Sequence, residues 1–229
     1  MILETFPVGM LGCNCTIAGD AASGEAIVID GGDEVPEIAR RLEAHGLRAR
    51  YLVHTHAHID HIGALGPLRE RVGGEGLLHH ADLPLYATLA QQAVWLGMLT
   101  APQVVALDGD LTDGDRLTAG DLALRCLHTP GHTPGSTSFA LDTGETTILF
   151  TGDTLFRGAV GRWDLGGTSL ADIVASIRRK LLVYDDGCLV VPGHGPATTI
   201  GEERRENPFL TELSAGEAGR TPVRRNDAL

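Results

Sequence analysis

The residues with the clearest chemical purpose lie together in His54-Thr55-His56-Ala57-His58-Ile59-Asp60-His61. The core of this segment is H-x-H-x-D-H, which puts four metal donors, His56, His58, Asp60 and His61, within six positions. Alternate residues leaving a strand end point the same way, so His56 and His58 can converge on one ion. Asp60 and His61 come next, on the turn into a helix, and can face a second ion beside the first. Imidazole together with carboxylate suits zinc, and also iron or manganese. The bland alternative is an accidental surface cluster of histidines, and so tight a pattern weighs against it.

A metal site needs further donors downstream, each where a strand meets a loop. Thr129-Pro130-Gly131-His132-Thr133-Pro134-Gly135 follows a β-prone run, and its glycines permit tight backbone around His132. Phe150-Thr151-Gly152-Asp153-Thr154 presents Asp153, and Pro192-Gly193-His194-Gly195-Pro196 presents His194. A Gly-flanked histidine alone is usually only a turn residue. The signal is the joint order, each motif following a β run. His54 and His128 flank these loops, where bracing of donors and ordinary strand-end packing are both open. His45 reads as a solvated residue of a charged helix, and neither His79 nor His80 is spaced to join the cluster.

The elements that must position these loops can be read in outline. Ile2 to Phe6, Asn14 to Ala18 and Ala26 to Ile29 are short β-prone runs, with a hairpin turn around Asp20 to Glu25. Val35, Ile38, Ala39 and Leu42 sit at helical spacing, with Asp33 placed to cap the start and Gly46 to end it. Tyr51 to Val53 is a strand leading into the histidines. Gly63 to Val72 and Asp82 to Gly97 look helical, with Leu77-Leu78 a short strand between them. Strands return at Leu122 to Leu127, Thr137 to Leu141, Thr146 to Phe150 and Leu189 to Val191. Ser169 and Asp172 form a box-like start to a helix with Ile173, Ile177 and Leu181 on one stripe. Trp95, Leu96, Met98 and Leu99 read as the buried face of a helix rather than as a substrate wall or dimer contact. Beyond about Leu210 the chain turns polar and aperiodic, so residues 1–210 are expected to form one domain and 211–229 a mobile tail.

Composition narrows the function classes. Hydrophobic residues make up 43% and charged residues 21% of the 229, ordinary globular values, while aromatics are scarce at 4%. A net charge of -12 argues against nucleic acid as the partner, which would call for a basic surface. No run is apolar enough for a membrane span, and MILETFPVGM, with Glu4, Pro7 and no basic residue, does not read as a signal peptide. The spacing Cys13-x-Cys15 is neither a zinc nor a redox motif, so the four cysteines read as small buried residues of a cytoplasmic protein. The oligomeric state is left open.

With H-x-H-x-D-H, P-G-H-T-P-G-S, G-D-T-L-F and G-H-G-P in this order, the chain resembles the metallo-β-lactamase superfamily, specifically its short, single-domain glyoxalase II-like hydrolases. The resemblance covers all but the tail. It implies an α/β fold, a four-layer αββα sandwich with metals at one edge of the two sheets. Carried over residue by residue, it implies one metal on His56, His58 and His132, a second on Asp60, His61 and His194, and Asp153 bridging. Two metals lower the pKa of a shared water, so the expected nucleophile is a metal-bound hydroxide, oriented by Asp60 as catalytic residue. The expected substrate is a small-molecule thioester such as S-lactoylglutathione.

Departures narrow the choice within the superfamily. Asp153 stands where lactam-hydrolysing relatives usually have a cysteine, and His58 where di-iron oxygen reductases have a glutamate. Little chain follows His194 to form the helical domain with which longer glyoxalase II enzymes grip glutathione. In their loop after the bridging aspartate a lysine and a tyrosine hold glutathione; here Arg162 stands at the lysine position and Asp164 near the tyrosine. Arg162 is therefore the candidate substrate-binding residue, able to take a carboxylate in its fork or to pair with Asp164. The alternative activity is that of a mononuclear-iron persulfide dioxygenase, which shares most of these motifs and the Gly-Arg-x-Asp element at 161–164.

Overall fold

The computed structural model describes residues 1–164 and 168–211; the expected tail at 211–229 lies outside them beyond Thr211. Strands β1 (Ile2–Val8), β2 (Cys13–Asp20), β3 (Glu25–Ile29), β4 (Arg48–Val53), β5 (Glu75–Leu78) and β6 (Gly109–Asp110) form one sheet in that spatial order. Strands β7 (Arg116–Ala119), β8 (Leu122–His128), β9 (Thr137–Asp142) and β10 (Thr147–Gly152) belong to a second. There the spatial order is β14-β13-β10-β9-β8-β7, after a small ribbon of β11 (Leu155–Phe156) and β12 (Ala159–Val160), with β13 at Leu189–Pro192 and β14 at Thr198–Thr199.

Strand alternation builds the layers. In β3, Ile27 and Ile29 point between the sheets and meet Leu124, Cys126, Phe139, Ile148 and Phe150. Ala26 and Val28 point the other way, onto helices α1 (Val35–Ala44), α2 (Ile59–Ile62) and α3 (Leu65–Val72), through Ile38, Leu42, Ile62 and Leu68. In β10, Leu149 faces outward with Val190 onto Ile173, Ile177, Leu181 and Ile200. The result is four layers, helix on sheet on sheet on helix, as the motifs implied. The outer helices of the second sheet are a helix from Leu170–Ser176 that continues, more widely wound, through Ile177–Leu181, and a shorter one at Ile200–Glu206. The expected box is present, Ser169 Oγ accepting from the Asp172 amide and the Asp172 carboxylate from the Ser169 amide.

Three expectations need correcting. Asp33 does not cap α1: residue 34 precedes the helix in left-handed conformation, and Asp33 accepts only from the Glu34 amide, at 2.6 Å. The segment 82–97 is not one helix but two short ones, α4 (Leu83–Tyr86) and α5 (Leu89–Trp95), broken where the Thr88 hydroxyl donates to the Leu85 carbonyl. Trp95 and Leu99 are not buried: they are 74% and 103% exposed, because α5 packs only through Leu89, Gln92 and Ala93. His45 is tied down as well, its Nε2 lying 2.6 Å from Glu4 Oε1. Among the described residues no helix is long and apolar enough to cross a membrane.

Strands β3, β4 and β5 run parallel, and β8, β10 and β13 share one direction. Their carboxyl ends therefore collect at one edge. Asp30 follows β3, His54 to His61 follow β4, His132 follows β8, Asp153 follows β10 and His194 follows β13.

Candidate metal centre

The structure brings the seven expected donors to that edge. His56 Nε2 and His132 Nε2 each lie 2.9 Å from His58 Nδ1, forming one group. His61 Nε2 and His194 Nε2 are 3.3 Å apart, with Asp60 Oδ2 at 3.0 Å from His194, forming a second. Asp153 stands between the two: Oδ1 lies 3.5 Å from His61 Nε2 and Oδ2 lies 3.6 Å from His132 Nε2.

The outward face of each ring decides what the inward face can be. His132 Nδ1 faces the Arg162 carbonyl oxygen at 2.8 Å, and His194 Nδ1 faces that of Leu11 at 3.1 Å. His61 Nδ1 faces Asp30 Oδ2 at 3.0 Å. His56 Nδ1 lies 3.0 Å from Thr55 Oγ1, whose own hydrogen goes to Asp30 Oδ2. A ring nitrogen facing an acceptor carries the hydrogen, so in its neutral form each of the four rings presents Nε2 as the lone pair. His56, His58 and His132 then crowd three nitrogens together with at most one hydrogen among them. Asp153 Oδ1 is buried without any hydrogen-bond partner. Both features are what a divalent cation resolves, and the donor set of imidazoles and carboxylates fits one.

Electrostatics divide the two groups. Burial, reinforced by the neighbouring rings, pushes His56 well below its ordinary pKa and His58 down to about 3, leaving neutral imidazoles. Burial also opposes ionisation of His61 and Asp60. In His61 the surrounding Cys13, Asp60, Asp30 and Asp153 outweigh it and raise the ring well above its usual range. For Asp60, His61 and His194 outweigh it and hold the carboxyl below the usual carboxylate range.

Backbone forms the floor. Gly193 donates its amide to the Gly152 carbonyl at 2.8 Å and accepts from the Asn14 amide at 2.7 Å, clamping the Asp153 and His194 loops together. A Cβ on Gly193 would collide with Asp153 Oδ1, and Gly152 has φ 48 with Thr55 against it. Only glycine meets both demands there.

Four supports were not read from the sequence. Asp30 orients His61 and, through Thr55, His56; its signal was an Asp-Gly-Gly following a β run, with Gly32 packed on the Asp60 backbone. Asp82, fully buried, accepts from the Ala57 amide, the Thr133 hydroxyl and the Gly135 amide. Gln92 holds the same loop by accepting from the Ile59 amide at 2.9 Å. Cys13 Sγ packs 3.4 Å from His61 Nδ1, its thiol pushed up to about 12 by burial. His54 and His128 brace: His54 Nδ1 donates to the His61 carbonyl and His128 Nε2 to that of Pro134. Arg162 joins the cluster only by its backbone. Its guanidinium, 63% exposed, is forked onto Asp164.

The chain matches the family model of the Metallo-beta-lactamase superfamily over residues 8–194. It belongs to the metallo-beta-lactamase superfamily. Among curated members it is 36% identical to hydroxyacylglutathione hydrolase GloC of Haemophilus influenzae, over 93% of this chain and 100% of that protein. It is 33% identical to human mitochondrial persulfide dioxygenase ETHE1, over 86% of this chain and 72% of that one. Two solved metallo-beta-lactamase-fold structures are similar throughout. BLEG-1 B3 metallo-beta-lactamase has TM-score 0.82 and 34% identity, covering 92% of this chain and 100% of that chain. TTHA1623 in a di-iron-bound form has TM-score 0.80 and 38% identity, covering 90% and 100%.

In this member of the superfamily Asp30 has φ 54, a conformation asparagine also tolerates. Asp30→Asn should therefore keep the turn while removing the charge behind His61 and His56. The expected result is roughly a 10- to 100-fold loss of metal affinity, read by competition with a chromogenic chelator. An unchanged affinity would show that the two rings are held without it.

Proposed function

We propose that this chain is a two-metal hydrolase that cleaves thioesters such as S-lactoylglutathione into a carboxylic acid and a free thiol. The observation that carries the reading is the pair of donor groups with the Asp153 carboxylate between them. In it, His56, His58 and His132 would hold one divalent ion and Asp60, His61 and His194 the other, with the Asp153 carboxylate placed to serve both. Zinc suits these donors, and iron or manganese does too. When bound, the two ions supply an acidified water and positive charge facing the substrate carbonyl oxygen.

The chain's own part is positioning. Asp60, kept ionised and only partly buried, accepts a hydrogen bond from the attacking water and aims it at the carbonyl carbon. A C–O bond forms, the C–S bond breaks with its electron pair leaving on sulfur, and a proton from the water ends on the thiolate. Arg162, beyond His132, takes a carboxylate of the thiol arm by exchanging Asp164 for it. Arg162→Ala is expected to raise KM for glutathione thioesters roughly fivefold with kcat kept; an equal KM returns the residue to its surface pair. The four free, buried cysteines suit a reducing, cytoplasmic compartment.

The test is loss of thioester absorbance when the purified protein, with its native metal, meets S-lactoylglutathione, and chelator-sensitive turnover is expected. The likeness to BLEG-1 makes a chromogenic cephalosporin the control substrate. A second reading, iron-dependent oxidation of a persulfide by dioxygen, is favoured by the likeness to ETHE1 and by the placing of Asp153 Oδ2 beside His132. One iron per chain, oxygen uptake with glutathione persulfide and no thioester turnover would replace the first reading with the second.

A further inference from the structure

Beside Asp60 the surface opens into a cavity of about 600 Å³. Leu11, whose carbonyl anchors His194, lines it together with Leu96, Met98, Pro102 and Val105. Ala64 and Gly66 of the α2–α3 region line it as well, Gly66 packed against Val105. The volume falls within the range of sites for drug-sized ligands. A lactoyl group, with its small polar hydroxyacyl chain, would leave most of it empty.

The charged groups are all of one sign. Asp33, Glu34 and Glu70 line the cavity along with Asp60, and no Lys, Arg or His does. Asp33, Glu34 and Glu70 are exposed, and none of them is in an ion pair among the described residues. Such a rim repels a carboxylate. Glutathione carries two, so its peptide arm belongs on the opposite side, toward His132 and Arg162. That leaves the acyl arm for the cavity.

We infer that this cavity is the acyl subsite, and that the preferred substrates are thioesters of extended, apolar acids with no negative charge at the far end. The inference rests on the thioesterase reading for its chemistry and on the cavity for its selectivity. An apolar wall contributes with each methylene it covers, while a terminal carboxylate meets the acidic rim.

The test uses the metal-loaded protein and N-acetylcysteamine thioesters of acetyl, butanoyl, hexanoyl and octanoyl groups, plus the carboxylate-ended suberoyl thioester. The expected kcat/KM rises with chain length, up to about fourfold per buried methylene, and suberoyl falls roughly tenfold or more below octanoyl. Glu70→Lys, on the exposed face of α3, should narrow the suberoyl deficit, and Ala101→Trp, at the cavity wall, should flatten the chain-length series. A flat series in the wild-type protein, or suberoyl equal to octanoyl, overturns the proposal. Calorimetric binding of the matching thioether ketones, in which a CH2 is inserted between the carbonyl carbon and the sulfur, separates the two readings. A chain-length gradient in Kd without thioester turnover sinks the thioesterase and keeps the apolar subsite. Turnover without a gradient in either measurement does the reverse.

Discussion

Replacing Asp153 with alanine is expected to take metal content from two ions per chain to one or none, and turnover down on the order of a thousandfold. In the proposed two-metal site the side chain is shared, so one substitution removes a donor from both groups. Oδ1 sits 3.5 Å from His61 Nε2 and Oδ2 3.6 Å from His132 Nε2. The collapse should be specific to metal and chemistry. Asp153 Oδ1 has no hydrogen-bond partner, so its loss strands no donor, and relief of a buried carboxylate offsets part of any packing loss. Elemental analysis alongside a melting curve checks both halves. Full occupancy by two ions in the variant would refute the bridging assignment.

Asp82→Ala should act in the opposite way, on stability first. Its carboxylate is fully buried and accepts from the Ala57 amide at 3.0 Å, the Thr133 hydroxyl at 2.8 Å and the Gly135 amide at 2.6 Å. Truncation leaves the Ala57 and Gly135 amides without a partner inside the protein and the Thr133 hydroxyl with Ser136 Oγ alone, at 2.8 Å. Unmet buried donors cost about 1–3 kcal/mol each, so a total of about 3 kcal/mol or more is expected even if a water enters. For a chain of this size that corresponds to a fall in Tm of roughly 10 °C. The same three bonds tie the His56–His58 loop to the His132 loop, so metal affinity should fall along with stability. Asp82→Asn, which keeps two acceptor lone pairs, should recover much of the loss. A melting point within about 2 °C of wild type in the alanine variant would show that the loops hold each other without this side chain.

The contrast between these two aspartates explains what could be read from the chain. Asp153 was legible because it belongs to a pattern with His56, His58, His132 and His194, each placed just beyond the end of a β run. The layered fold followed from the same runs, since alternation in Ala26 to Ile29 states which residues face which layer. Asp82 carries no such mark. A lone aspartate before a proline-containing helix looks like a cap, and its real partners, Thr133 and Gly135, are about fifty residues away (53 to Gly135). Asp30 was nearer to legible, standing before two glycines at a strand end, but its left-handed backbone and its contacts with His61 and Thr55 are tertiary facts. Trp95 and Leu99 misled because apolar residues at helical spacing ordinarily mark a buried face. Here α5 is seven residues long and, among the described residues, nothing covers its outer side.

The donors' spread along the chain also has a consequence for how the protein is made. His58 and His132 are 74 positions apart, and His61 and His194 are 133 apart. At ribosomal rates of roughly 5–20 residues per second, the H-x-H-x-D-H segment emerges on the order of ten seconds before its last partner. During that interval four donors stand exposed with no geometry to choose among ions, and bare affinity favours copper over zinc, iron or manganese. Discrimination begins only when the second sheet docks and Gly193 closes on Gly152. If the site fills as proposed, the metal carried by freshly made protein should depend on the ion supply during synthesis as well as on the finished cage.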